Sequence, residues 1–182
     1  MKTFFLSIVC LMCVVLSVNA QKYVTRTGEV SFEASVPSFE EVAAQNKEVS
    51  VIFSENGGKL AALTFMKAFR FKVALMEEHF NENYVESDTY PKAVFKGGVK
   101  NFTKAMLSAE VKECELIGDI TLHGKTKKVT IKAQLFYKDE VLHIKGDFKV
   151  KPEDFDIEIP SVVSSKIAEE ILVTFDFNLK KQ

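Results

Sequence analysis

The sequence predicts an all-β protein: a single antiparallel eight-stranded barrel with one short helix near residues 74–84. Three observations carry this. Apolar residues fall on every second position in eight separate runs, so each run has one wet face and one buried face. Turn-forming residues stand between consecutive runs, which suits hairpins. Eight such strands in one short chain have to close on themselves or pack as two sheets, because open edges invite association. Consecutive hairpins favour an up-and-down barrel, with a barrel-like sandwich as the alternative.

The strands are predicted at 23–36, 47–55, 59–73, 92–101, 106–123, 127–138, 140–150 and 168–180. The clearest pair sets Val129, Ile131, Ala133, Leu135 and Tyr137 against Leu142, Ile144, Gly146, Phe148 and Val150. Asn56-Gly57-Gly58 and Gly124 supply positive-φ residues for tight hairpins, and Lys138-Asp139-Glu140 is a short polar link. Pro37, Pro91, Pro152 and Pro160 fall near strand ends, where a missing N–H does little harm. Two stretches break the alternation. Met76 through Tyr84 spaces its apolar residues like a short helix, and 161–170 is a second turn or helix before the last strand. No internal repeat, low-complexity tract or linker divides the chain, so residues 21–182 form one domain.

Residues 1–20 read as an export signal. Lys2 is followed by an apolar run from Phe4 to Val15 and by the small-residue site Val18-Asn19-Ala20. The run is short for a membrane span, so cleavage before Gln21 and a product without stable membrane insertion are expected. Cleavage removes Cys10 and Cys13 and leaves Cys114 alone, which rules out an internal disulfide. The whole chain carries 24 basic and 25 acidic side chains. Nothing in it forms a basic face with interleaved aromatics, so nucleic acid is not an expected partner. There is no Trp, but there are 16 Phe, 14 of them after residue 20. Phe brings bulk without a polar handle, which suits a dry interior.

The inward face gathers Phe32, Ala34, Val49, Val51, Phe53, Leu63, Phe69, Phe71, Phe95, Leu116, Ile120, Ile131, Leu135, Ile144, Phe148, Val173, Phe175 and Phe177. Ala61, Gly97, Gly118, Ala133 and Gly146 are mixed in. An eight-stranded barrel is just wide enough to be filled by side chains or to hold one small ligand. Alternation alone is what any β core shows, and on that ground a packed core is the simpler reading. Counting along 59–73 puts Lys67 on the inward face, where a lone ammonium would be costly. Either a bulge turns it outward or it meets an anionic head group at a mouth.

Three segments together resemble the YceI-like family of exported lipocalin-like proteins. The first runs from His79-Phe80-Asn81-Glu82-Asn83-Tyr84 to Tyr90-Pro91-Lys92-Ala93-Val94-Phe95. The second is the hairpin Gly118-Asp119-Ile120-Thr121-Leu122-His123-Gly124-Lys125-Thr126-Lys127-Lys128-Val129. The third is Phe148-Lys149-Val150 followed by Asp154-Phe155-Asp156-Ile157. With the entry strand Val30-Ser31-Phe32, the resemblance spans essentially all of the chain after residue 20. It implies an antiparallel lipocalin-like barrel around a long apolar tunnel, polyisoprenoid lipids as ligand, and a bacterial periplasm. The chain departs from the family at Glu77-Glu78, where an Arg-Asp pair is usual, and at Lys127-Lys128, where a Pro is usual. Head-group contacts from those positions are therefore not carried over.

Catalytic and metal-binding patterns are weak. No Gly-x-Ser-x-Gly or His-Glu-x-x-His occurs, and adjacent Glu77, Glu78 and His79 fan apart on a helix. Cys114 alternates with Leu116 and Ile120, as a buried inert thiol would. His143 reads as surface, and His123, beside a turn, as a backbone partner. Asn101-Phe102-Thr103 matches a glycosylation acceptor but is idle in a bacterium. The expectation is a non-enzymatic periplasmic protein with no cofactor and no metal, holding an isoprenoid or other long-chain lipid for storage or transport. Phe32, Phe53, Phe69, Phe71, Phe95, Phe148, Phe175 and Phe177 are expected to line the ligand, with Lys67, His79 and Tyr90 at a polar mouth. The alternative is an envelope interaction module with a solid β core. The oligomeric state stays open, a homodimer included.

Overall fold

The computed structural model describes residues 21–182, and the export signal expected over 1–20 lies outside the described residues. The elements are β1 (Lys22–Ser35), β2 (Ala43–Ser54), β3 (Lys59–Phe65), β4 (Arg70–Phe71) and α1 (Ala74–His79), which widens into a π turn over Phe80–Tyr84. They continue with β5 (Lys92–Val99), β6 (Lys112–Leu122), β7 (Lys125–Lys138), β8 (Val141–Val150), α2 (Ser161–Ser164) and β9 (Ile167–Lys181). Around the wall the order is β1-β9-β8-β7-β6-β5-β3-β2, and β2 pairs back onto β1, so eight antiparallel strands close a barrel. The two-residue β4 only extends the β2 edge, through Ala44 opposite Phe71.

Turn chemistry sets the register. Gly57 and Gly58 take positive φ between β2 and β3, as expected from the sequence. The two-residue β6–β7 and β7–β8 turns place His123, Asp139 and Glu140 at positive φ beside Gly124, the mirror-image turn that matches strand twist.

Two predicted strands are shorter than the alternation suggested. The fifth begins at Lys112, not at 106, because Lys104–Met106 form a 3-10 turn against the barrel end. The third stops at Phe65, where a 3-10 turn over Met66–Ala68 interrupts the pleat before β4. That turn corrects the sequence reading of this strand. Leu60, Thr64 and Met66 are buried, and Ala61 and Phe65 are exposed, so Leu63 shares the outward phase with Ala61. The turn then shifts the count, so Phe69 is buried again while Lys67 points to solvent and bonds Asp88 at 2.5 Å.

One end of the barrel is packed solid. Phe53, Leu135, Leu142, Ile144 and Leu179 are fully buried there. Tyr23 sets its ring edge-on to Tyr137 at 5.8 Å, and Phe53 meets Phe102 at 5.4 Å. Glu55 ties this end together: it accepts from the Tyr23 hydroxyl at 2.8 Å and pairs with Lys104 at 3.0 Å. The Gln21 amide bridges the same carboxylate to Lys181, at 2.9 Å on each side. Burial alone would raise the Glu55 pKa. Hydrogen bonds from Tyr23 and Lys104, with the charges of Lys104 and Lys181, outweigh it and hold the carboxyl below its ordinary value.

Glu55→Ala should therefore cost about 1–3 kcal/mol, since the Tyr23 hydroxyl loses its acceptor. A depressed carboxyl pKa stabilises the fold above the unfolded-state pKa, and the gain fades as pH falls through the folded-state value. The melting-temperature gap between wild type and Glu55→Ala should accordingly narrow below about pH 4. A gap unchanged in acid would assign the loss to packing.

Candidate functional site

The other half of the barrel is hollow. It encloses a cavity of about 380 Å³, to which all eight strands of the wall contribute together with the connections beyond them. That size lies within the range of about 300–1,000 Å³ usual for small-molecule sites. The alternation could not choose between a packed and a hollow interior, and the barrel is both, one at each end.

The hollow half stays open because several of its phenylalanine rings lie against glycine. Gly97 of β5 pairs with Gly118 of β6, and a β-carbon on either would stand 2.8 Å from Phe95 Cζ. Gly146 of β8 underlies Phe175 in the same way, with 2.7 Å to its Cζ. The small residues seen among the inward positions are thus shelves on which large rings lie flat along the wall. Nearer the mouth, Phe80 closes a four-ring box with Phe32, Phe69 and Phe71 at centroid distances of 5.4, 5.8 and 5.2 Å.

The helix α1 is fastened over this box by Glu77. Its carboxylate accepts from Arg70 Nη1 at 2.9 Å and from the Phe71 backbone N–H at 3.1 Å. Glu77 is therefore a fastening between α1 and β4. Met76, Phe80 and Tyr84, the apolar stripe of this segment, all face the cavity.

Opposite the box, the three segments that carry the family resemblance meet in one latch. Tyr90 packs edge-on to His123 at 4.4 Å and covers Gly124, whose absent β-carbon would lie 2.8 Å from Tyr90 Cε1. His123 is bracketed, with Nδ1 2.9 Å from the Phe155 carbonyl oxygen and Nε2 2.8 Å from Glu86 Oε2. Lys125–Asp156 at 2.6 Å and Lys127–Asp154 at 3.1 Å join the hairpin to the 3-10 turn Pro152–Phe155. The Asp156 carboxyl is held below its ordinary range chiefly by the hydrogen bond from Lys125. The latch presses Phe155 and Ile157 into the cavity wall.

Seven of the eight phenylalanines named from the sequence line the cavity: Phe32, Phe69, Phe71, Phe95, Phe148, Phe175 and Phe177. Phe53 does not. Its inward phase is as read, but it sits in the solid end, and parity reports face without reporting depth. Of the three polar residues, His79 lies exposed at the rim and lines the cavity. Lys67 and Tyr90 do not line it: the 3-10 turn carries Lys67 outside, and Tyr90 belongs to the latch. Sequence reasoning missed Phe80, Met76 and Phe155, although helical spacing marked the first two.

Cys114 faces inward opposite Ala133, and burial, then Glu113, pushes its thiol up to about 11, far from thiolate reactivity at neutral pH. Among the described residues no group of three or more His, Cys, Asp or Glu is placed to hold a metal ion, and no helix is long and apolar enough to cross a membrane. His143 stacks on Phe136 at 4.4 Å on the outer wall, away from the cavity.

Known proteins share this architecture. A polyisoprenoid-binding domain from Saccharophagus degradans, implicated in plant cell wall breakdown, superposes with a TM-score of 0.77 at 14% identity, covering 90% of this chain and 99% of that one. BcnA of Burkholderia cenocepacia gives 0.68 at 17% identity, with 84% and 95% covered. The Campylobacter jejuni YCEI protein gives 0.62 at 13%, with 79% and 86% covered. Comparison with curated protein sequences found no match. The sequence profile of the YceI-like domain matches residues 20–179, nearly the whole chain. The chain belongs to the YceI-like family.

Proposed function

We propose that this protein is an exported, non-catalytic container for one long-chain apolar ligand, isoprenoids foremost, which it stores or carries across the periplasm. The observation that carries this reading is the cavity itself: about 380 Å³ in one half of a barrel whose other half is solid, with an almost wholly apolar wall. A similar barrel from Saccharophagus degradans is a polyisoprenoid-binding domain, which supports the same class of guest here. Each methylene withdrawn from water contributes about 0.8 kcal/mol, so a short prenyl chain gains several kcal/mol. Such a chain does not cross water unaided. The leader-like residues 1–20 supply the route to the periplasm, and residues 21–182 are the mature domain.

Native mass spectrometry of the protein recovered from the periplasm, followed by organic extraction, tests the reading. One discrete adduct released as a single lipid class is the expected result. Apo protein that also fails to take up a panel of prenyl lipids would overturn it and favour an interaction module.

A further inference from the structure

We propose that the cavity selects a single-chain lipid with an anionic head group, phosphate or carboxylate, held at the rim by Lys151 and Lys166; this rests on the reading of the cavity as a lipid container. The side chains around the cavity are apolar apart from a few, and the ionisable ones are Tyr84, His79, Lys151 and Lys166. No carboxylate lines it, although the whole chain has 25 carboxylates against 24 Lys and Arg. A lining that includes two lysines, both exposed at the rim, and no acid has a sign that the rest of the protein lacks.

Their placement gives the sign a use. Lys151 directly follows Val150 at the end of β8, and Lys166 directly precedes Ile167 at the start of β9. Val150 pairs with Ile171 across the two strands, and Phe148 with Val173, so apolar residues descend into the barrel below both lysines. A tail lying between Phe148 and Phe175 runs toward the rim on which both lysines stand. Neither is committed elsewhere. Lys151 has Glu153 only at 3.8 Å, with that carboxylate 78% exposed, whereas neighbouring Lys149 pairs with Glu170 at 3.1 Å. Lys166 makes no ion pair among the described residues.

Matched pairs sharing one tail isolate the head: farnesyl phosphate with farnesol, and palmitate with hexadecanol, titrated into the full mature chain. Charge-assisted hydrogen bonds should favour the anion by about tenfold. The preference should shrink in concentrated salt, as screening requires. It should vanish in the Lys151→Gln/Lys166→Gln double variant, whose melting temperature stays at the wild-type value and so reports an intact barrel. Preference for both anions supports general anion selection, and preference for phosphate alone narrows the head to phosphate. Equal affinity for alcohol and anion in the wild type, or a preference that survives in the double variant, overturns the assignment while leaving the container intact. If no member of either pair binds, the container reading falls with it.

Discussion

Ala62→Phe is expected to weaken lipid binding at least about tenfold while leaving the barrel folded. Ala62 faces the cavity from β3, opposite Val51 on one side and Phe95 on the other. In a close-packed core, forcing in a benzyl group costs about 1–3 kcal/mol or more, because neighbours leave their rotamers and the backbone shifts. In a hollow the same ring finds room and buries apolar surface, a gain of about 1.5–3 kcal/mol when complete. The melting temperature should hold or rise while affinity for a prenyl lipid falls at least about tenfold, the loss of roughly two methylenes' worth of burial. Both quantities come from the same preparation, one by thermal melt and one by titration. A collapsed melting temperature with retained binding would mean that this half of the barrel is as solid as the other.

Gly118→Ala should do the reverse and destabilise the barrel by about 3 kcal/mol or more, at the upper end of overpacking costs. Its β-carbon would stand 2.5 Å from the Lys96 carbonyl oxygen, 2.6 Å from Gly97 Cα and 2.8 Å from Phe95 Cζ. The ring can move, but the two backbone atoms belong to the paired strand and move only if β5 and β6 separate. A fall in melting temperature of roughly 6–12 °C follows for a domain of this size. Adding Phe95→Leu to Gly118→Ala removes the ring from the clash and leaves the backbone contacts, so it should restore only part of the loss. Full restoration would place the whole strain in the ring.

Sequence parity served best where strands run unbroken. Leu116, Ile131, Ile144 and Phe177 all face inward as read, because β6 to β9 carry no interruption in those stretches. It failed in 59–73, where three residues of 3-10 turn reset the phase: counted back across the turn from Phe69, Leu63 and Lys67 read as inward, and both take the outward phase. Depth was illegible for a different reason: Phe53 and Phe175 share an inward phase, and only the ring of loops around each barrel end makes one a plug and the other a wall. The latch was half legible. Its three segments carried the family resemblance, but their meeting through His123 joins positions 32 and 37 apart in the chain, which no local pattern encodes. Lys151 and Lys166 lie between strands, where alternation says nothing about direction.

The solid end has a consequence for traffic. Tyr23, Phe53, Phe102 and Tyr137 make the barrel a blind tube with one door, not a pipe. A linear guest that enters tail first leaves head first, through the opening by which it came. For the proposed carrier role, donor and acceptor would present themselves to the same rim in turn, with the protein turning around, or letting go and being met, between loading and delivery.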